Sequence, residues 1–437
     1  MKTQSCQLLI KDCAIVTPAL NIERHKSIII NGPYISDIVD AGDEVHHETC
    51  IDGTHMLWMP GLIDGHIHTC QQLLRGKILD ALPMVWTRIL YPFECTLQQA
   101  DVRLSAQLAS LEMIRSGTTS FLEAGGFYME EAARVYEESG LRGMITCSTM
   151  DQPVTSSLPY TTTEDAIDQL ESLYEYIHSL HSKRLRMAYS LRSLAGCSKT
   201  LVQKVFTAAK EHHAPVEAHM NEYAYEVMFC LEHYKCRPVE FLDQLGIGDV
   251  PFISAHSIFV TEREIELLQR HHACVVHCPF SNSAKGIPNT PRLLEAKIPV
   301  ALGSDGAAHG GLSIFQEMKI FRTMMNVRYG IDQCNPQCMP AKTILQMVWQ
   351  GGAAALGLYD WIGAIEPGRY ADLIGINLDQ PHLQPTGNLL NTIVECMNGS
   401  DVESMIVHGK MIMKHHEILT LDEEKIMAEA KKRGDLG

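Results

Sequence analysis

The chain has 437 residues, of which 46% are hydrophobic and 20% are charged, a composition that excludes a disordered protein and supports a large core. Its 36 Lys and Arg residues against 52 Asp and Glu residues give a net charge of −16, which argues against a nucleic-acid partner. No apolar run reaches the length of about 18 residues that a membrane span needs. We therefore expect a small-molecule partner and no membrane, while a homo-oligomer stays open.

The cysteines indicate a reducing compartment. Fourteen of them are scattered without the spacing of a disulfide framework, and the N-terminus MKTQSCQLLIKDC lacks the basic and then apolar run of a signal peptide. We therefore expect the cytoplasm. The CVVHC segment with Cys274, His277 and Cys278, and Cys334 with Cys338, lack a second pair at zinc-site spacing. Buried free cysteines are the expectation for both segments.

The two ends of the chain predict β-strands. Residues 1–56 contain the segments LLIKDCAIVTP and SIIINGPYISDIVD, and the segment from 365 contains GRYADLIGIN and SMIVHGKMIM. The last charged segment, LDEEKIMAEAKKRG, is typical of a solvated helix. We predict that 1–56 and 365–437 form one small β-sandwich domain with a C-terminal helix.

Between these ends, residues 57–364 alternate short apolar runs with amphipathic helical stretches. One such helix is expected from Leu97 to Arg115 and stops at Gly117. Alternation of this kind predicts parallel strands joined by helical crossovers, and eight strands favour a closed (β/α)8 TIM barrel. The predicted strands centre on Leu62, Phe121, Ile145, Ala188, Glu217, Ile253, Val276 and Ala301.

Polar side chains follow several of these predicted strands. His66 and His68 stand two apart at the end of the first strand, so the pleat points both imidazoles the same way. His219, His256 and Asp305 end the fifth, sixth and eighth strands. Each residue alone is compatible with a hydrogen-bonded core position. Together they favour metal ligation, because barrel enzymes place their chemistry at the carboxyl ends of the strands.

The motifs PGLIDGHIH, HMNE, AHS and GSDGAAH resemble the amidohydrolase superfamily, in particular its aminohydrolase and deaminase branch. The segment EPGRYADL resembles the returning β domain of that family, so the resemblance spans almost the whole chain. It implies that Glu222 is a proton shuttle, that His256 orients the reacting water and that Asp305 accepts its proton. The implied ligands of one divalent metal are His66, His68, His219 and Asp305.

One metal is expected rather than two, because the fourth predicted strand, MAYSLRS, has no lysine that could bridge a pair of ions. Nitrogen and oxygen ligands suggest Zn²⁺, and Fe²⁺ is compatible with the same donor set. The resemblance implies that metal-activated water displaces an amino group from a nitrogen heterocycle and releases ammonia. Amide hydrolysis or removal of chloride would use the same core, and a catalytically silent metal-binding barrel is the alternative from another class.

One part of the sequence favours a nucleoside substrate. The segment LLRG, followed by Trp86 and by YPFE with Glu94, is similar to methylthioadenosine and S-adenosylhomocysteine deaminases, in which the matching Glu binds ribose hydroxyls. Two positions depart from that pattern. Arg192 stands where those enzymes commonly have a histidine, and Cys147 stands where relatives that bind homocysteine have an arginine.

Another part favours a free base of the purine, pterin or triazine type. Gln71 and Arg192 resemble the pair with which guanine deaminases hold an amino-oxo ring, and a planar guanidinium suits a ring carbonyl. The alternative for Arg192 is an ion pair with Glu123 or another acidic loop residue. The free base is our first expectation for the substrate, and the nucleoside is its rival.

Overall fold

In this computed structural model the described residues are 4–78, 84–155, 158–335 and 337–434. The strands are β1 (Gln4–Val16), β2 (Ile22–Asn31), β3 (Tyr34–Asp40), β4 (Val45–Asp52), β5 (Met56–Pro60), β6 (Leu62–His68), β7 (Thr118–Glu123), β8 (Arg142–Ile145), β9 (Leu185–Met187), β10 (Tyr189–Leu191), β11 (Val216–Met220), β12 (Phe252–His256), β13 (Cys274–His277), β14 (Val300–Leu302), β15 (Asp305–Gly306), β16 (Leu373–Asn377), β17 (Val402–Val407), β18 (Lys410–Lys414) and β19 (Glu417–Ile418).

The helices are α1 (Tyr91–Glu94), α2 (Gln99–Arg115), α3 (Met129–Ser139), α4 (Thr163–Ser179), α5 (Lys199–Glu211), α6 (Ala224–His233), α7 (Pro238–Leu245), α8 (Glu262–Arg270), α9 (Pro279–Asn282), α10 (Thr290–Glu295), α11 (Ile314–Met325), α12 (Ala341–Gln346), α13 (Gly352–Ala355), α14 (Leu389–Glu395) and α15 (Glu423–Gly434). None of the helices within the described ranges combines the length and the apolar composition that a bilayer crossing requires.

Strands from both ends of the chain form one sheet, in the order β19-β18-β17-β16-β5-β1-β2-β3, with β4 paired to β1. The join is made by β5, which runs parallel to β1 and antiparallel to β16. Ile10, Ile28 and Trp58 fill the core of this sheet. The predicted boundary after residue 56 therefore cuts through β5, because the apolar run MLWMP pairs here before the chain enters the next sheet.

Each of the eight predicted strands between these ends has a counterpart in two five-stranded parallel sheets, β15-β6-β7-β8-β9 and β10-β11-β12-β13-β14. Two predicted strands are split, and their halves lie in different sheets. Ala188 separates β9 from β10, where the amide of Ala188 donates to Ile145 O at 3.1 Å and that of Tyr189 donates to Pro215 O at 2.9 Å. Within each sheet all strands run in one direction, so their carboxyl ends lie at one edge of that sheet.

The helix predicted for the segment up to Arg115 is α2. Asp101 closes a capping box with Gln98 at its start, and Gly117 follows its end at φ +84, a left-handed value that suits glycine. The C-terminal helix α15 is less solvated than expected. Its Ile426 is buried in the main core, and Arg115 of α2 forms an ion pair with its Glu423.

Candidate metal centre and active site

Five of the predicted residues stand at the carboxyl ends of parallel strands. His66 and His68 lie on β6, and the register places Met220 of β11 opposite His256 and Asp305 of β15 opposite Ile67. The backbone is left-handed at His256 (φ +70) and at Asp305 (φ +61). Such a conformation costs a non-glycine residue of order 1–3 kcal/mol and clusters at functional sites. Strand geometry and local strain thus aim these side chains at one point.

The four predicted metal ligands meet there. The Nε2 atoms of His68 and His219 are 3.0 Å apart, and Asp305 Oδ1 lies 3.5 Å from His68 Nε2 and 3.8 Å from His66 Nε2. Tetrahedral ligands at about 2.0–2.1 Å from a zinc ion lie about 3.3 Å from one another. These three separations are compatible with ligands of a single tetrahedral cation, and donor atoms of His66 and His219 also lie within 4.8 Å of each other.

Protonation states also fit a cation. Burial holds the pKa of His68 and of His219 well below the usual range, so both rings are neutral and offer lone pairs. Burial opposes the charged form of Asp305 as well, but the nearby side chains of His309, His256 and Lys285 outweigh it and hold the pKa of this carboxyl well below its usual range. The Nε2 atoms of His66 and His256 are buried without a hydrogen-bond partner among the described residues.

Glu217, which is absent from the predicted site, supports the cluster from behind. Its Oε1 lies 3.1 Å from His66 Nδ1, and both side chains are fully buried. Burial lowers the pKa of His66, but the carboxylate of Glu217 outweighs it and raises that pKa. A carboxylate on Nδ1 fixes the tautomer that leaves Nε2 for a metal. The signal was available in the sequence, because Glu217 is two residues before His219 and shares its face of β11.

Glu222 and His256 adjoin the cluster. Glu222 Oε1 lies 3.7 Å from His256 Nε2, and His256 Nδ1 lies 2.9 Å from Asn282 Oδ1, which accepts its proton in a hydrogen bond. Burial lowers the pKa of His256 to about 4, so the ring is neutral near pH 7. Burial opposes the ionised form of Glu222, but His256 and Lys285 outweigh it and lower the pKa of this carboxyl. Lys285 is a second residue that the sequence did not reveal.

The predicted substrate contacts form one hydrogen-bonded network. Gln71 Nε2 donates to Glu94 Oε1 at 3.0 Å, and Arg192 Nη2 donates to the same oxygen at 3.1 Å. Glu94 and Arg192 are 1% and 2% exposed, so this is a buried ion pair. The alternative role for Arg192, pairing with an acidic residue, is thus present with Glu94, while Glu123 instead accepts from the backbone of Thr69.

A small cavity of about 20 Å³ lies beside this network. It is lined by Trp86 together with Arg192, His219 and Glu222. Within the network itself, three further atoms are buried and have no hydrogen-bond partner within the described parts of the chain, namely Glu94 Oε2, Gln71 Oε1 and Arg192 Nε. Unpaired buried polar atoms are costly, and a bound water, ion or ligand would satisfy them.

Cys278 lies closer to the cluster than a packing cysteine was expected to. Its sulfur is within 4.8 Å of ligand atoms of His66 and Asp305. Burial raises the pKa of the Cys278 thiol well above its usual range, which keeps it protonated and a poor ligand. The histidines and Asp305 remain the better donors.

Comparison with known proteins places the chain in a family. The model of the amidohydrolase family matches residues 57–412. A 5-methylthioadenosine/S-adenosylhomocysteine deaminase of Carboxydothermus hydrogenoformans is 32% identical over 98% of this chain and 97% of its own length. A 5'-deoxyadenosine deaminase of Methanocaldococcus jannaschii is 32% identical over 93% and 96%. The solved structure of an adenosine deaminase from Xanthomonas campestris with bound zinc has a TM-score of 0.91 at 26% identity, covering 99% of both chains. The chain belongs to the amidohydrolase family.

Proposed function

We propose that this protein is a metal-dependent hydrolase that deaminates the base of an adenine nucleoside. The observation that carries the proposal is the meeting of Glu222 and His256, 3.7 Å apart, beside a buried set of histidine and aspartate donors spaced for one cation. A proton carrier next to a water-activating centre is the equipment for hydrolysis of a C–N bond. The similar enzymes from Carboxydothermus and Methanocaldococcus are named for this reaction on adenine nucleosides.

The residues that would hold the metal are His66, His68, His219 and Asp305. When bound, a divalent cation supplies Lewis acidity that lowers the pKa of a water molecule toward neutrality. The zinc in the Xanthomonas enzyme and the nitrogen-rich donor set support Zn²⁺, with Fe²⁺ as the alternative.

The protein's own groups would move the protons. Neutral His256, held by Asn282 through Nδ1, orients the water with Nε2, and Asp305 accepts a proton from it. Glu222, which must first take up a proton because its carboxyl is ionised in the free protein, would deliver that proton to the ring nitrogen next to the reacting carbon. A C–O bond would form at that carbon and its C–N bond would break. The amino group would leave as ammonia with the proton that Asp305 took from the water, and Glu222 would recover a proton from the new hydroxyl as it becomes the ring carbonyl. The purine amine becomes a ring carbonyl.

Glu94 supports the nucleoside over the free base. Its Oε1 is taken by Gln71 and Arg192, while its buried Oε2 is available to accept hydrogen bonds from a ribose diol. The guanidinium of Arg192 is largely committed, since Nη2 bonds Glu94 and Nη1 donates to Ser148 Oγ at 2.9 Å. Fewer donors of this guanidinium are therefore left for a ring carbonyl.

The 5' side of the substrate is expected to be uncharged. Cys147, which takes the place of the arginine of homocysteine-binding relatives, is buried, and burial raises its thiol pKa to about 12. A protonated thiol offers no charge to a carboxylate. We therefore expect methylthioadenosine, 5'-deoxyadenosine or adenosine to react better than S-adenosylhomocysteine.

A free amino-oxo base is the second candidate. It is favoured by Arg192 Nε and Gln71 Oε1, which are both buried and have no hydrogen-bond partner among the described residues. This donor and this acceptor would suit a ring with adjacent acceptor and donor groups.

Two inferences about the architecture and one about the location accompany this proposal. We infer that the two parallel sheets close into a (β/α)8 barrel through their split strands, which would bring all ligands around one mouth. We also infer that the nine-stranded sheet folds over as a β-sandwich built from 1–56 and 365–437, with 57–364 as the catalytic domain. The cytoplasm remains the proposed location.

Ammonia release tests the function. The zinc-loaded protein is incubated with adenosine, 5'-deoxyadenosine, methylthioadenosine, S-adenosylhomocysteine, adenine, guanine, a pterin and an aminotriazine. We expect ammonia from the nucleosides with uncharged 5' groups and conversion of each to its 6-oxo product. Turnover of guanine alone would replace the nucleoside with the free base, and no ammonia from any compound would favour a silent barrel.

A further inference from the structure

The short segment after β13 contacts both groups that handle protons. Helix α9 ends at Asn282, whose Oδ1 accepts from His256 Nδ1. Three residues later, Lys285 donates to Glu222 Oε1, and its amide donates to Asn282 O at 2.8 Å, which fixes the turn between them. One segment thus reaches His256 at the end of β12 and Glu222 beyond the end of β11.

The ammonium of Lys285 is enclosed and bonded to groups of the protein. The side chain is 7% exposed and that of Glu222 is 14% exposed. Besides Glu222, the ammonium donates to Ser281 Oγ at 2.7 Å and lies 5.2 Å from the centre of the Tyr223 ring. An ammonium has three donors, and two of them are committed to Glu222 and Ser281. Lys285 is therefore placed to act on Glu222.

We propose that Lys285 is a positioning residue for the deamination, which holds Glu222 Oε1 so that Oε2 faces the ring nitrogen of the substrate. This inference rests on the proposed function of Glu222 as the proton carrier. Without the tie, the carboxylate would rotate about its side-chain bonds, and a displacement of about 1 Å at a reacting group can cost about 10²-fold in rate.

The test uses Lys285→Met, Lys285→Arg, Glu222→Gln and the double variant Glu222→Gln/Lys285→Met in the zinc-loaded protein, with Lys342→Met of the exposed face of α12 as the control. We expect Lys285→Met to lower kcat by about 10- to 100-fold while KM and zinc content change less than about threefold. Lys285→Arg should recover part of kcat, since it keeps the charge. The control should match the wild type.

The double variant separates positioning from general damage. If Lys285 acts through Glu222, adding Lys285→Met to Glu222→Gln should change kcat by less than about twofold. Multiplying losses, or a KM effect larger than the kcat effect, would overturn the proposal.

A second readout needs no turnover, so it decides the tie even if the ammonia panel fails. Lys285→Met strands a buried carboxylate and should lower Tm by about 3 °C or more, and the double variant should regain at least half of that loss. Absence of this recovery would show that the two side chains are not coupled. Recovery in a protein that releases no ammonia would confirm the tie and refute only the proposed function.

Discussion

The proposed metal cluster and the proposed substrate wall of this protein are built on different principles. Cluster residues such as His66 and His68 are carried by strands and have donor atoms 3.0–3.8 Å from those of other cluster residues. Some of their ring nitrogens have no hydrogen-bond partner in the described ranges. The wall residues lie outside the strands, Gln71 in the turn after β6, Glu94 at the end of α1 and Arg192 after β10, and they bond one another through Glu94 Oε1. Strands hold the cluster side chains close together even where these side chains do not bond one another. The side chains of the wall, in contrast, are ordered by the hydrogen bonds that they form with one another.

The largest expected effect tests the strand-borne cluster. His219→Ala removes one of four ligands and should reduce the metal from about one ion per chain to a small fraction. Turnover should fall by at least about 10⁴-fold, because water is no longer activated. Elemental analysis and ammonia release measure both. His213→Ala, at an exposed histidine, is the control.

The prediction of one metal ion per chain can also be tested directly. Two metals per chain in active protein, or full activity after exhaustive chelation, would show that the four donors do not form the centre described above.

The next effect concerns Glu222, at the border between the two regions. Glu222→Gln keeps the shape but cannot carry a proton, so kcat should fall by at least about 10²-fold with the metal retained. Binding should survive, measured by inhibition with an unreactive purine nucleoside. Glu232→Gln, at an exposed position of α6, should leave kcat unchanged. Near-normal turnover of Glu222→Gln would show that Glu222 does not carry the proton.

Predictability from the sequence follows the same division. The pleat alone places His66 beside His68, and strand ends collect His219 and Asp305, so the cluster could be predicted from alternation and spacing. The partner of Arg192 could not be, because Glu94 is separated from it by nearly a hundred residues and by loop geometry that no local pattern encodes. Its ion-pair alternative was foreseen, but its partner was not.

Two other features escaped for physical reasons. Lys285 lies in a loop, where charged residues are usually solvated, and only tertiary packing buries it against Glu222. The breaks at Ala188 and between β14 and β15 fall inside single predicted strands, because the hydrogen-bonding partner changes there and no local sequence pattern marks that change. Propensity reports burial, but it does not report which neighbour a strand pairs with.

A smaller effect tests the proposed substrate wall. If Glu94 accepts the diol, Glu94→Gln should lower kcat/KM for adenine nucleosides by about one to two decades, the value of roughly 1.5–3 kcal/mol for a hydrogen bond to a charged group. Free adenine should be affected little.

Arg192→Met needs a different interpretation, because it strands the buried charge of Glu94 as well as removing a donor. The double variant Glu94→Gln/Arg192→Met removes that imbalance and is the proper comparison for Tm. If Arg192→Met damages oxo-bearing rings selectively while Glu94→Gln spares nucleosides, the free base is the substrate class.

The smallest effect concerns His277, a strand-borne histidine outside the set of ligands. Burial lowers its pKa from the ordinary 6.5 to about 3, and its Nδ1 accepts from Asn282 Nδ2 at 3.2 Å. Below pH 6.5 the unfolded chain therefore binds a proton that the folded chain refuses, so stability falls as the pH drops toward 3. At pH 5 this one group should cost about 2 kcal/mol relative to pH 8. His277→Gln cannot bind the proton, so its Tm should decline less than that of the wild type between pH 8 and pH 5. Both proteins must be metal-free, because acid also releases metal from histidine ligands. Equal declines in Tm for the two proteins would mean that His277 is already protonated in the folded protein at pH 5.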